Sequence, residues 1–194
     1  MNKFGLVVLL AVLCVFVGCP KDETGTLEEG PTPAETVLVD VGDQAPLFRL
    51  TTLDGGVFDL EAQRGKVVLV NFFATWCPPC REELPYLESE IWRRFDSEHF
   101  SLIVVGREED DEVVGPFVEK NGYSLPFAGD PEKAAYDQYA TRFIPRNFVI
   151  GPDGTILFQS QGFERAEFDE MIGVIEEAVA ALDRPAGAAE ADAA

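Results

Sequence analysis

The stretch Val67-Val68-Leu69-Val70-Asn71-Phe72-Phe73, which continues through Ala74-Thr75-Trp76 into Cys77-Pro78-Pro79-Cys80, decides how this chain is read. A nearly continuous apolar run of this length suits a central strand buried on both faces. Beyond Cys77 the period changes. Cys80, Leu84, Leu87, Ile91 and Phe95 recur at helical spacing, so the strand runs into an amphipathic helix with Cys77 at its N-terminal end. Pro85 should kink that helix.

Working outward, Phe48-Arg49-Leu50 and Val57-Phe58-Asp59-Leu60 alternate apolar and polar residues around the turn signal Asp54-Gly55-Gly56, which predicts a hairpin before the central strand. After the helix, Leu102 to Val105 reads as a strand, with helices around Val113–Glu119 and Pro131–Tyr139. Phe148-Val149-Ile150 and Ile156-Leu157-Phe158 flank a Gly-Pro-Asp-Gly turn and form a second hairpin, and Phe168 to Leu182 closes the chain as a helix. The pattern predicts an α/β domain: a mixed central sheet flanked by helices, with an additional N-terminal hairpin.

The 194 residues, 46% of them hydrophobic, suit one domain of ordinary size, read as residues 42–183. With 35 acidic and 15 basic side chains the formal net charge is -20, which repels nucleic-acid phosphates and excludes that partner class. The acidity otherwise reads as a solvated surface. A single histidine, His99, is expected at the surface and argues against His-rich metal sites.

The N-terminus reads as an address. Lys3 precedes an apolar run from Phe4 to Val17, then Gly18, Cys19 and a polar stretch, the layout of a secretory signal. The run is shorter than the roughly 20 residues a spanning helix needs. Phe16-Val17-Gly18-Cys19 resembles a lipoprotein box, with Phe16 departing from the usual leucine, so residues 1–19 are expected to be a signal and Cys19 the lipidated mature N-terminus. Residues 20–41, poor in apolar side chains at their start, are expected to be a flexible tether, and residues 184–194 a disordered tail.

Two thiols two residues apart at the start of a helix lie close enough to form a disulfide, and the helix N-terminus favours the thiolate of Cys77. A thiolate is the attacking species in exchange, with the second cysteine resolving the mixed disulfide. The same spacing also serves zinc and structural disulfides. Zinc would lack ligands here, with no second CxxC and no histidine partner, and a c-type haem would need histidine where Arg81 stands. A disulfide closing so short a loop constrains little of the unfolded chain. No metal or cofactor is expected.

Gly42-Asp43-Gln44-Ala45-Pro46, Gly65-Lys66-Val67-Val68-Leu69-Val70-Asn71-Phe72 and Ala74-Thr75-Trp76-Cys77-Pro78-Pro79-Cys80 together resemble the TlpA/ResA-like thioredoxin family of membrane-anchored thiol:disulfide oxidoreductases, over residues 42 to 183. The resemblance implies a thioredoxin-like fold. It also implies an extracytoplasmic, lipid-anchored, monomeric enzyme that takes electrons from a membrane thiol:disulfide donor. Its substrates would be protein disulfides or dithiols, with disulfide reduction, apocytochrome c among the targets, typical of the family. Cys77 and Cys80 would be the redox disulfide, with Trp76, Pro78, Pro79, Ile144, Pro145 and Arg146 lining the substrate groove.

In Tyr139-Ala140-Thr141-Arg142-Phe143-Ile144-Pro145 the family carries its cis-proline loop, so Pro145 is expected to be cis, with the Ile144 backbone open to an extended substrate. Phe143 stands where many relatives have glycine, and Arg146 where a small or hydroxylated residue is common. Both should flank the substrate groove, where Arg146 either biases it towards a carboxylate-bearing partner or stabilises a thiolate, or else simply faces solvent.

Glu83 completes the candidate site. Thioredoxins commonly keep a buried aspartate on the strand six residues before the first cysteine, and here that position is Asn71. Glu83, three residues after Cys80, shares its helix face and matches a glutamate of the family. Burial at the border of the apolar stripe should raise its pKa, and the proposed role is to accept the Cys80 proton. Two other readings compete. A thiol peroxidase would want Thr or Ser where Ala74 stands and proline where Val70 stands. A redox-inert partner-binding lipoprotein would use the fold without the thiols.

Overall fold

The computed structural model of the chain describes residues 32–95 and 98–184. The signal segment, the lipoprotein box at Cys19 and the C-terminal tail beyond Arg184 lie outside the described residues.

Seven strands and three α-helices make up the described part. β1 (Arg49–Thr51) and β2 (Val57–Asp59) form the expected antiparallel hairpin as a separate sheet. The main sheet holds five strands in the order β5-β4-β3-β6-β7. β3 (Val67–Phe73) lies at its centre, parallel to β4 (Phe100–Arg107), which is in turn parallel to β5 (Phe127–Asp130). β6 (Arg146–Ile150) runs antiparallel to β3, and β7 (Ile156–Gln161) antiparallel to β6. The sheet is mixed, as expected, and all seven residues of β3 are buried, which is why that strand reads as an unbroken apolar run.

Side-chain alternation divides β3 between two cores. Val67, Leu69 and Phe73 pack towards α1 (Pro78–Tyr86), α2 (Asp111–Asn121) and α3 (Arg165–Asp183), where Leu84, Val114, Phe168, Met171 and Ile175 are buried. Val68, Val70 and Phe72 pack on the other face against Phe48, Phe58, Tyr136 and Tyr139. The three helices share the first core, and the second face is closed by the hairpin, the N-terminal segment and an irregular loop.

That loop corrects the helix expected over Pro131–Tyr139. Only a 3-10 turn forms, at Tyr136–Gln138. The Asp130 carboxylate captures the Ala135 and Tyr136 amides at 3.1 and 2.9 Å, and Lys133 adopts a left-handed φ of 56°. Local side-chain capture of backbone donors outcompetes the helix.

Of the expected tether over residues 20–41, residues 20–31 lie outside the described residues. Residues from Thr32 belong to the domain: a 3-10 turn spans Pro33–Thr36, Leu38 N–H donates to the Tyr139 carbonyl at 2.9 Å, Val37 bridges Ala140, and Val39 is buried. His99, expected to be exposed, is half-buried and lies 3.4 Å from the Asp183 carboxylate.

β5 has no counterpart in the sequence reading, and its Gly129 fits against the loop that leads into α2. A Cβ there would meet the Glu109 carbonyl oxygen at 2.8 Å and the Asp110 carbonyl carbon at 2.9 Å, both backbone atoms. Gly129→Ala should cost about 1–3 kcal/mol by overpacking. Thermal unfolding is the check, with the melting temperature expected to fall by several degrees.

Candidate functional site

β3 ends at Phe73 and α1 begins at Pro78, so the cysteine pair occupies the strand-to-helix turn. Cys77 is the N-cap residue of α1, in extended backbone conformation, and its sulfur accepts the Cys80 amide at 3.3 Å. Pro78 and Pro79 fill the first two helical positions. They bring no backbone N–H of their own, and they cost the helix nothing where amides are unpaired anyway. The N-cap side chain satisfies the first free amide, a role usually taken by Ser, Thr, Asp or Asn. A thiolate at this position gains both that hydrogen bond and the positive end of the helix.

Cys77 and Cys80 are joined as a disulfide, with 5.3 Å between their Cα atoms. The sequence reading placed Cys77 at an exposed tip. In the disulfide it is only 3% exposed, against 0% for Cys80, so the difference between them survives while the openness does not. Access comes instead from the neighbours: Trp76 is 62% exposed, and Pro78 and Pro79 are exposed.

The Ile144–Pro145 peptide bond is cis. The Cys77 sulfur lies 3.7 Å from the Ile144 carbonyl oxygen, so the proline loop and the cysteine turn meet directly. The loop is held from behind, since the Tyr136 hydroxyl donates to the Phe143 carbonyl at 2.8 Å. Phe143 itself has φ 68° and is 45% exposed.

Arg146 departs from the readings offered for it. Its side chain neither lines the groove nor faces solvent. The residue is 3% exposed and donates to the Arg142 carbonyl (3.0 Å), Thr36 Oγ1 (2.7 Å) and Gln161 Oε1 (3.0 Å). It ties the proline loop to the N-terminal segment and to β7. A buried guanidinium needs this many acceptors to offset its lost hydration.

Behind the disulfide lies a polar group inside the helix-side core. Glu83 is 1% exposed, and each of its carboxylate oxygens accepts an amide: Asn71 Nδ2 at 2.9 Å and Asn147 Nδ2 at 2.6 Å. Asn71 Nδ2 also donates to Asn147 Oδ1 at 2.8 Å, and Asn147 Nδ2 to Ser160 Oγ at 3.2 Å. Asn71 and Asn147 are direct cross-strand neighbours on β3 and β6, which is why the two amides meet. Burial pushes the Glu83 carboxyl up to about 8; the hydrogen bonds from Asn147 and Asn71 counter it in part, and the Glu167 carboxylate adds to it. Asn71 Oδ1 is left without a partner among the described residues.

Sequence reasoning missed two supports. Asn147 carried a signal, an amide side chain abutting the apolar run Phe148-Val149-Ile150 on a buried strand. Glu109 carried none: it comes from the loop before α2 to accept the Thr75 amide (2.8 Å) and hydroxyl (2.6 Å), fixing the residue before Trp76. No group of metal-ligating side chains is found among the described residues. Ala74, where a peroxidase would carry a hydroxyl, is buried in the helix-side core.

Comparisons with known proteins agree with this geometry. Residues 41–159 match the AhpC/TSA family. The chain is 30% identical over 161 residues to the thiol-disulfide oxidoreductase ResA of Bacillus thuringiensis subsp. konkukian (strain 97-27), covering 83% of this chain and 88% of that one. A solution structure of a candidate protein disulfide isomerase from Bacteroides thetaiotaomicron superposes with a TM-score of 0.72 at 34% identity, over 75% of this chain and 93% of that one. The crystal structure of a thiol:disulfide interchange protein of the thioredoxin family from Chlorobium tepidum TLS does so at 0.60 and 26%, over 73% and 99%. Within the AhpC/TSA domain family, this chain belongs to the ResA-like thiol-disulfide oxidoreductases of thioredoxin-like fold.

Proposed function

We propose that this chain reduces disulfides in partner proteins, apocytochrome c among them, on the extracytoplasmic side of a bacterial membrane to which lipid on Cys19 tethers it. The observation that carries this reading is the Cys77–Cys80 pair capping α1 directly against the cis Ile144–Pro145 bond. In the dithiol form the Cys77 thiolate attacks a substrate sulfur, the substrate S–S bond breaks, and one substrate thiol leaves. Cys80 gives its proton to Glu83 and attacks the Cys77 sulfur. The mixed disulfide breaks, the second substrate thiol leaves, and the chain is left as the observed Cys77–Cys80 disulfide, two electrons poorer. A membrane-bound dithiol donor restores it.

The direction is supported by the two prolines. Between the cysteines only the Cys80 amide donates to the Cys77 sulfur, so the thiolate lacks the further donors a strong oxidant would use. The chain acts as a monomer in this reading.

The test combines two measurements on the full chain. The reduction potential of the cysteine couple is expected below about -200 mV, and a value near the roughly -120 mV of strong oxidants overturns the reductase assignment. The reduced chain is expected to convert disulfide-bonded apocytochrome c to its dithiol stoichiometrically. Mass analysis of the membrane-bound protein is expected to find a lipidated N-terminal Cys19, and an intact segment from Met1 overturns the anchoring.

A further inference from the structure

Phe143 is costly to the fold in two ways. Its backbone sits at φ 68°, a region that bulky side chains seldom enter and that glycine enters freely. Among the described residues six positive-φ positions are glycine and three are not: Glu108, Lys133 and Phe143. The first two repay the conformation with ion pairs, Glu108 to Arg107 at 2.9 Å and to Lys133 at 3.5 Å. The Phe143 ring belongs to neither core cluster and remains 45% exposed. A hydrogen bond from the buried Tyr136 hydroxyl to the Phe143 carbonyl helps hold the turn in this conformation.

The position explains what the ring is for. Phe143 directly precedes Ile144, whose carbonyl oxygen is 3.7 Å from the Cys77 sulfur. On the other segment Trp76 directly precedes Cys77 and is 62% exposed. Each of the two segments that meet at the reactive sulfur thus carries an exposed aromatic residue adjacent in sequence to the point of contact, and Pro78 and Pro79 are exposed as well. Rings left in water at a redox sulfur gain most from covering an apolar side chain of the molecule that docks there.

We infer that Phe143, together with Trp76, sets substrate preference by seating an apolar or aromatic side chain adjacent to the substrate's reacting cysteine. The inference rests on the reading of the chain as a reductase of protein disulfides and narrows it to a class of sequence around the target disulfide.

The experiment uses the full chain, reduced and freed of reductant, with disulfide-linked peptide dimers that differ only in carrying Phe, Leu or Ser beside the cysteine. The readout is the ratio of second-order rate constants of single-turnover reduction between the Phe and Ser peptides. In the wild type the ratio is about tenfold, the scale on which apolar contacts discriminate. Phe143→Gly and Phe143→Asn, two residues at ease in the left-handed region, keep or raise the melting temperature and bring the ratio to within about twofold of unity. Phe143→Tyr retains the preference, and so does Val57→Ser, which removes an exposed apolar side chain on β2 outside the site. A wild-type ratio near one, or a ratio that survives in both the Gly and Asn variants, overturns the inference while leaving the reductase reading intact. Failure of the wild type to reduce any of the peptides overturns both.

Discussion

Cys77→Ser is expected to lower the rate of thiol-disulfide exchange by more than about a thousandfold, because the thiol that first attacks the substrate in the proposed mechanism is gone and the remaining one is fully buried. Cys80→Ser fails differently. Its Cys77 still attacks, but nothing displaces the substrate, and the reaction stops as a mixed disulfide. The structural asymmetry behind this difference is specific. Cys77 caps the helix, accepts the Cys80 amide and lies 3.7 Å from the Ile144 carbonyl oxygen, whereas Cys80, one turn in, is fully buried. Mass spectrometry of the Cys80→Ser protein after exposure to a disulfide substrate is the check. One substrate adduct on Cys77 is the expected product, and an adduct on Cys80 in the reciprocal Cys77→Ser variant at comparable rate would reverse the assignment.

How much of this was legible in the sequence depended on the range of the forces involved. The strand Val67–Phe73 and the helix start at Cys77 were legible because each is set locally, by apolar periodicity and by Pro78 and Pro79 at the positions helices tolerate best. Burial of Glu83 was anticipated from the same periodicity. Its two amide partners were not, since Asn147 comes from 64 residues away and meets Asn71 only through the pairing of β6 with β3. Arg146 was misread for a similar reason. A charged residue after a proline suggests a surface, and only the fold brings Thr36, 110 residues earlier, to accept its guanidinium. The loop over residues 131–139 failed as a helix because one carboxylate, that of Asp130, takes two amides at its start. β5 escaped notice at four residues, one of them glycine, too short for any period to show.

Glu83→Gln removes the pH dependence that the buried carboxylate imposes on both catalysis and stability. In the folded chain the carboxyl is pushed up to about 8, above its ordinary value of 4.5, chiefly by burial. The native state therefore holds a proton that the unfolded chain has released between those two pH values, so this group's contribution to stability is intact below 4.5 and is lost as pH rises towards 8. At about 1.4 kcal/mol per unit, the loss amounts to a few kcal/mol by pH 8. Glutamine cannot release a proton, so the melting temperature of Glu83→Gln relative to wild type rises with pH across this window. Catalysis moves the other way. In the proposed mechanism Glu83 accepts the Cys80 proton only when it is itself ionised, so wild-type turnover is expected to climb towards pH 8 with an inflection that, in the reduced protein, belongs to Glu83 and Cys80 jointly. The glutamine variant lacks that inflection and resolves the mixed disulfide more slowly by about 10²-fold, the scale of a lost general base. Glu82→Gln, on the exposed side of the same helix, serves as control and follows wild type in both profiles. Identical profiles for the Glu83 variant and wild type would show that the carboxyl is a buried structural group and that Cys80 loses its proton to another acceptor.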